Sequence, residues 1–232
     1  MKNTPIHIAL IPDGNRRWAK KRSLPAFIGH DRGAEALEKV LQKSLELKVP
    51  YFTFWGSSLD NITKRPKKEV NYLFKIFEKQ FKRLSRDKRI HENKVKILVL
   101  GRWKEYFPPS LNKAIEQAIE KTKNHNRHYL TFLMAYNGTD EMEECIKSII
   151  RKKQKVNEKT IKQNLWTKDL PLVDLVIRTG CEDDPHLSAG FMMWDIAYAQ
   201  LYFTKTYFPA FSPKEYEKAV KDYTKRERRK GA

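Results

Sequence analysis

Two cysteines in 232 residues cannot build a disulfide scaffold, so a reducing compartment is expected and a secreted, bridge-held fold is excluded. Long apolar runs are missing as well. No segment approaches the ~20 apolar residues of a membrane span, and the N-terminus lacks the apolar core of a secretory signal. The expected location is cytoplasmic. No internal repeat, low-complexity tract or Gly/Ser-rich linker interrupts the chain, which predicts one domain over 1–232 with a basic tail at 225–232. Acidic residues are short: 28 Asp and Glu stand against 47 Lys and Arg, a formal charge of +19. That surplus calls for an anionic partner, whether nucleic acid, an anionic membrane surface or a phosphate-bearing substrate. Helix-turn-helix, zinc-finger and RNP signatures are all absent, which argues against nucleic acid. What is present, 40% hydrophobic and 12% aromatic residues, is enough for a packed core.

The apolar residues fall into two alternating patterns. Short runs rich in β-branched and aromatic residues predict strands at Ile6–Ile11, Tyr51–Trp55, Val95–Leu100, Tyr129–Ala135, Leu172–Ile177 and Leu201–Thr204. Between them, helical spacing groups Leu37, Val40, Leu41 and Leu45, then Val70, Leu73, Phe74, Phe77 and Phe81. It recurs in Leu111, Ala114, Ile115, Ala118 and Ile119, and in Met142, Cys145, Ile146, Ile149 and Ile150. Pro66 and Pro109 stand where helices begin, close to the first helical position. The alternation predicts an α/β fold: a mainly parallel six-stranded sheet flanked by helices, Rossmann-like, with its ligand site at the carboxyl ends of the strands.

At the end of the first predicted strand comes Asp13-Gly14-Asn15-Arg16-Arg17-Trp18-Ala19. Gly and Asn suit a tight turn. A helix starting near Asn15 would point free N–H groups outward, and Arg16 and Arg17 beside them make a diphosphate cradle. Asp13 does not bind phosphate itself. It suits a Mg²⁺ ion bridging to phosphate oxygens.

His7 to Ala19 resembles the first signature of the cis-prenyltransferases, the undecaprenyl diphosphate synthase family. Gly29-His30 with Gly33 resembles its next block, and Ser58-Leu59-Asp60-Asn61 with Arg65-Pro66 its Ser-x-Glu-Asn-Trp block. Ala135 to Glu141 is similar to its Tyr-Gly-Gly-Arg-x-Glu block. Asp174 to Glu182, Tyr202-Phe203-Thr204 and Arg226 to Gly231 follow in the family's order. The resemblance implies an enzyme that adds isopentenyl diphosphate to an allylic prenyl diphosphate with cis double bonds, making a polyprenyl diphosphate that serves as a lipid-carrier precursor. It implies Mg²⁺ as cofactor and a homodimer, while the lysines outside these motifs suit peripheral contact with an anionic membrane.

Carried over residue by residue, the resemblance puts Asp13 on the metal, with Asn15 and Asn61 beside the reacting carbons. Gly14, Asn15, Arg16 and Arg17 would grip the allylic diphosphate, with Trp18, His30, Ser58 and Arg65 in the same substrate site. Arg178 and Ser188 would bind isopentenyl diphosphate, and Arg229 would reach into the partner subunit's site. Four positions depart from the family pattern. Ala26 replaces an arginine, Ile62 a tryptophan, His186 the second isopentenyl-site arginine, and Gln200 the second metal carboxylate. Neutral Gln is a poor ligand for hard Mg²⁺. His186 would bind diphosphate best when protonated, weakening that site above about pH 6.5. Gly56 and Ser57, where the family carries Ala and Phe, predict a roomy start to the hydrophobic tunnel. Two alternatives stand beside this reading: a non-catalytic or regulatory subunit, and a member making short or irregularly joined products.

Overall fold

The structure, a computed structural model, describes residues 4–226. Strand β1 (His7–Ile11) leads into a short helix α1 (Asn15–Lys20) and the long α2 (Ala26–Glu46). Strand β2 (Tyr51–Trp55) is followed by α3 (Leu59–Lys64), α4 (Lys67–Leu84) and α5 (Lys88–Glu92), and β3 (Val95–Leu100) by α6 (Trp103–Tyr106) and α7 (Pro109–Thr122). After β4 (His128–Leu133) come α8 (Gly138–Arg151) and α9 (Glu158–Asn164), then β5 (Leu175–Arg178), β6 (Gln200–Phe203) and α10 (Pro213–Lys225). The six strands form one parallel sheet in the order β3-β4-β2-β1-β5-β6. This is the expected fold class.

Central strands of such a sheet are covered on both faces, so β1 alternates between two cores. Ile8 and Leu10 join a large cluster under α2, α4, α7 and α10. Ala9 and Ile11 face a smaller one with Trp55, Tyr136, Phe191 and Met192. The two sheet edges are treated differently. On the β3 edge, Thr122 at the end of α7 accepts the Ile97 N–H at 3.0 Å, and His125 reaches the Val95 carbonyl at 2.9 Å. On the β6 edge Arg226 bonds the Leu201 carbonyl, but Leu201 and the nearby Tyr198 stay exposed, Tyr198 to 82%.

The strands differ from expectation only at their ends, and two of the differences have a local reason. The Asp174 carboxylate accepts the Ile6 and His7 N–H groups, which delays pairing until Leu175. At the far end of β4 the Ala135 N–H goes to the Ser57 hydroxyl at 2.9 Å, and Ala135 turns to a φ of 48°. Pro109 opens α7 as expected, whereas Pro66 caps α4 from one residue outside it.

His7 is fully buried and ties three segments together. The Pro171 carbonyl can only accept, so Nδ1 donates to it at 2.8 Å, and Nε2 accepts from the Thr53 hydroxyl at 2.8 Å. Burial holds this imidazole down to about 4. Between pH 6.5 and 4 the unfolded chain therefore takes up a proton that the folded ring refuses. The stability contributed is complete above pH 6.5 and falls by about 3 kcal/mol toward pH 4. Urea midpoints measured from pH 4 to 7 should show this slope, and His7→Gln should remove that part of it while lowering stability at pH 7.

Candidate active site

The order of the sheet reverses beside β1: the chain runs from β1 to β2 on one side and later returns to β5 on the other. Such a switch point leaves a crevice outside the carboxyl ends of the two strands. Two charged residues meet there because Ile11 of β1 is in register with Arg178 of β5. The Asp13 carboxylate takes the Arg178 Nη2 at 3.1 Å and lies 3.2 Å from Arg17 Nη2, while its other oxygen accepts the Gly14 N–H at 2.6 Å. Arg178 is only 7% exposed. Its Nη1 donates to Ser188 Oγ at 3.1 Å and to the His186 carbonyl, and its Nε, aimed inward, has no partner.

Gly14 makes the turn possible. It has φ +101°, and a Cβ there would lie 2.5 Å from the Tyr207 ring. The helix it opens presents Arg16, Arg17 and Lys20 to the crevice, together with first-turn N–H groups that have no partner inside the helix. Asn15 donates to the Pro12 carbonyl at 3.1 Å, and its buried Oδ1 is left without a partner.

A second charged group gathers behind three of the lining residues, Arg16, His30 and Arg65. Glu69, in the first turn of α4, is 12% exposed, and one of its oxygens faces His30 Nε2 at 3.2 Å, Arg65 Nη1 at 3.1 Å and Arg16 Nε at 3.8 Å. Burial lowers the pKa of both His30 and Arg65, and Glu69 opposes that shift in each. Ser58 caps α3 by accepting the Asn61 N–H at 3.0 Å, which sets Asn61 at the rim.

Behind this charged mouth the cavity turns apolar. It has a volume of about 940 Å³, near the top of the range for small-molecule sites. It runs between the sheet and the facing sides of α2 and α4, past Leu37, Phe54, Leu73, Phe77, Phe132 and Met134. From Glu69 to Leu84, α4 spans roughly 22 Å along it. Gly56 does not open the space its lack of a side chain suggested. A Cβ there would sit 2.3 Å from Met134 Sδ, so Met134 already fills the place.

Of the residues expected at the site, Asp13, Gly14, Asn15, Arg16, Arg17, His30, Ser58, Asn61, Arg65, Arg178 and Ser188 all line this one cavity. Three do not. Trp18 lies outside it, its ring covered by Arg22 at 4.3 Å. His186 contributes its carbonyl to Arg178, while its ring turns to Asp184 in an exposed loop, so the expected loss of binding above pH 6.5 has no imidazole in the cavity to act through. Gln200 opens β6 opposite Leu175, three residues upstream of the Phe203–Arg178 pair. It is therefore about 10 Å back along the sheet, and it shares no metal site with Asp13 inside one chain. Arg229 lies outside the described residues. Glu69 and Lys20 were missed, since neither stands out among so many charged residues until the fold brings it to the mouth.

The donor set limits how a metal could bind. Among the described residues no group of three or more metal-ligating side chains gathers anywhere, and Asp13 is a single, partly exposed carboxylate flanked by two arginines. That fits a Mg²⁺ ion carried in on diphosphate oxygens, not one caged by protein.

The chain is similar to known proteins along nearly its whole length. A family model described as putative undecaprenyl diphosphate synthase matches residues 11–231. The chain is 37% identical to the tritrans,polycis-undecaprenyl-diphosphate synthase (geranylgeranyl-diphosphate specific) of Pyrococcus furiosus, covering 98% of this chain and 87% of that one. It is 39% identical to an isoprenyl transferase of Thermotoga maritima, covering 98% and 97%. Among solved structures it is similar to lavandulyl diphosphate synthase from Lavandula x intermedia in complex with dimethylallyl diphosphate (TM-score 0.89, 26% identity, 100% of both chains). A probable undecaprenyl diphosphate synthase from Campylobacter jejuni matches at TM-score 0.80 and 28% identity over 99% of this chain and 100% of that one.

The Glu69 hub can be checked directly. Glu69→Gln removes the charge that raises His30 and leaves Arg16 and Arg65 acting on it. An NMR titration should find His30 losing its proton at lower pH than in the wild type, and an unchanged titration would refute the hub.

Proposed function

The chain belongs to the undecaprenyl diphosphate synthase family of cis-prenyltransferases, and on that footing we propose that it condenses isopentenyl diphosphate onto an allylic prenyl diphosphate to make a polyprenyl diphosphate. One observation carries the reading: a mouth of cations at the switch point opens directly into a long apolar cavity. One end suits two diphosphates, the other a growing hydrocarbon.

The reaction breaks the C–O bond of the primer, joins its C1 to C4 of isopentenyl diphosphate, and releases a proton from C2. Charge develops on the departing diphosphate. Donors fixed beforehand where that charge appears lower the barrier. Arg17 and the first-turn N–H groups after Gly14 are placed for this role. Arg178, locked by Ser188 and the His186 carbonyl, holds the second diphosphate with little freedom left to lose. Asn15 and Asn61 set carboxamides beside the reacting carbons. Asp13 would hold Mg²⁺ together with substrate oxygens, where the ion supplies charge neutralisation on the diphosphate. The chain's elongation carries it past Gly56 and Met134 into the space between α2 and α4.

A homodimer belongs to this reading. The β6 edge, with Leu201, Tyr198 and Met193 exposed beside it, supports pairing with a second copy. Among the described residues no helix is long and apolar enough to cross a membrane. The surplus of +19 supports peripheral contact with an anionic membrane from a cytoplasmic location.

Purified protein given isopentenyl diphosphate, Mg²⁺ and geranyl, farnesyl or geranylgeranyl diphosphate in turn should release polyprenyl diphosphate with cis double bonds. No product with any primer would overturn the reading. Asp13→Ala should lower kcat by about 10²–10³-fold. Met134→Ala, which clears the space over Gly56, should shift products toward greater length, as read by chromatography of the hydrolysed alcohols.

A further inference from the structure

Tyr207 does not line the cavity, yet it packs beside Arg17 and bonds Glu182, one of the two carboxylates next to that arginine. It follows β6 and precedes a short 3₁₀ turn, Phe208–Ala210, whose first N–H bonds the Asp13 carbonyl at 3.0 Å. Its ring packs on Gly14 and lies 5.3 Å from the Arg17 guanidinium and 4.9 Å from the Lys21 ammonium. Both distances are within cation–π range. Its hydroxyl donates to Glu182 Oε1, and Lys21 donates to that same oxygen at 3.1 Å. The second oxygen of Glu182 stands 3.8 Å from Arg17 Nη1.

That last distance is the informative one. At 3.8 Å the carboxylate attracts the guanidinium but is too far to take a hydrogen bond from it. Glu182 is kept there because its other oxygen is engaged by Tyr207 and Lys21. Arg17 is thus steered by charge and by an aromatic face while its outer N–H donors stay free for a ligand. Its other carboxylate neighbour, Asp13, is the residue placed to take a substrate-borne cation. When Asp13 changes partner, the Tyr207 ring and the tethered Glu182 remain.

We propose that Tyr207 is a positioning residue for the primer: its ring and hydroxyl hold Arg17 toward the cavity and keep Glu182 from closing on it. The proposal rests on the reading that Arg17 grips the primer's diphosphate. It adds a residue that touches no substrate and that confers selectivity between the two diphosphate sites, since Arg178, which shares Asp13 with Arg17, is fixed besides by Ser188 and the His186 carbonyl and not by Tyr207 or Glu182.

The test is calorimetric binding of geranylgeranyl diphosphate with Mg²⁺ and without isopentenyl diphosphate, paired with steady-state kinetics. Tyr207→Phe keeps the ring and frees Glu182, so the primer Kd should rise about threefold. Tyr207→Leu also removes the aromatic face, and the rise should reach about tenfold. The KM for isopentenyl diphosphate should stay unchanged in both, while kcat falls alongside the loss of primer affinity because Arg17 also faces the departing diphosphate. In an Arg17→Ala background Tyr207→Leu should add nothing, because the residue acts through Arg17. Losses shared equally by both substrates, a fall in kcat alone, or additive effects with Arg17→Ala would overturn the proposal. Tyr207→Phe preserves the packing on Gly14, so the test survives if the leucine variant fails to fold. A wild type that binds primer without turnover, with variants in the expected order, sinks the proposed reaction and leaves the positioning role standing. A wild type that binds no primer sinks both.

Discussion

A carboxylate at the end of β1 faces a guanidinium at the end of β5 at 3.1 Å, in the crevice where the sheet order reverses. Taking an arginine to 7% exposure strips it of water and is costly unless its donors are met. Asp13 meets one and Ser188 and the His186 carbonyl another, which dictates how the segment after β5 must fold back. Asp13 is fixed in turn by the Gly14 amide, and its carbonyl takes the Phe208 N–H and the Thr179 hydroxyl. The loops after β1, β5 and β6 are therefore one hydrogen-bonded unit, and α1 can start in only one direction.

Around that unit the cations are not left to repel one another. Asp13 stands between Arg17 and Arg178, Glu69 among His30, Arg65 and Arg16, and Glu182 between Lys21 and Arg17. Each carboxylate holds its cations at the distances an anion bridging them would need. A total charge of +19 says little about such an arrangement. What matters is that three acids share out six bases around one opening, a spacing that preorganises the mouth for diphosphate.

Much of this was legible in the residues. The strands were readable to within a few positions because β1, β2, β4 and β5, closed in on both faces, are continuous β-branched and aromatic runs. The motif order brings Asp13, Arg17 and Arg178 to one cavity because each lies at or beyond the carboxyl end of a strand, and strand ends converge in a parallel sheet. What failed depended on side-chain direction or register. Met134, just past the end of β4, fills the gap over Gly56, a contact no linear pattern contains. His186 matches an arginine by position, but the longer loop turns its ring outward. Gln200 matches a metal ligand by its place in the motif, yet parallel pairing with Leu175 sets it about 10 Å back from the strand ends where Asp13 of the same chain stands. Glu69 looked like one charge in a lysine-rich helix until α2 and α4 met at its oxygen.

The cavity between α2, α4 and the sheet is interior that the protein does not fill with its own side chains. Core walls facing a void forgo dispersion contacts, a loss that in ordinary interiors scales with the volume left open. A hydrocarbon threaded along Leu73, Phe77 and Phe81 supplies those contacts from outside the sequence. The lipid is then a structural component as much as a product: every isoprene unit added completes more of the packing, and the folded state gains stability as the chain lengthens. Letting go of the finished molecule means removing part of the protein's own core, so the energetics of release are those of a partial unpacking.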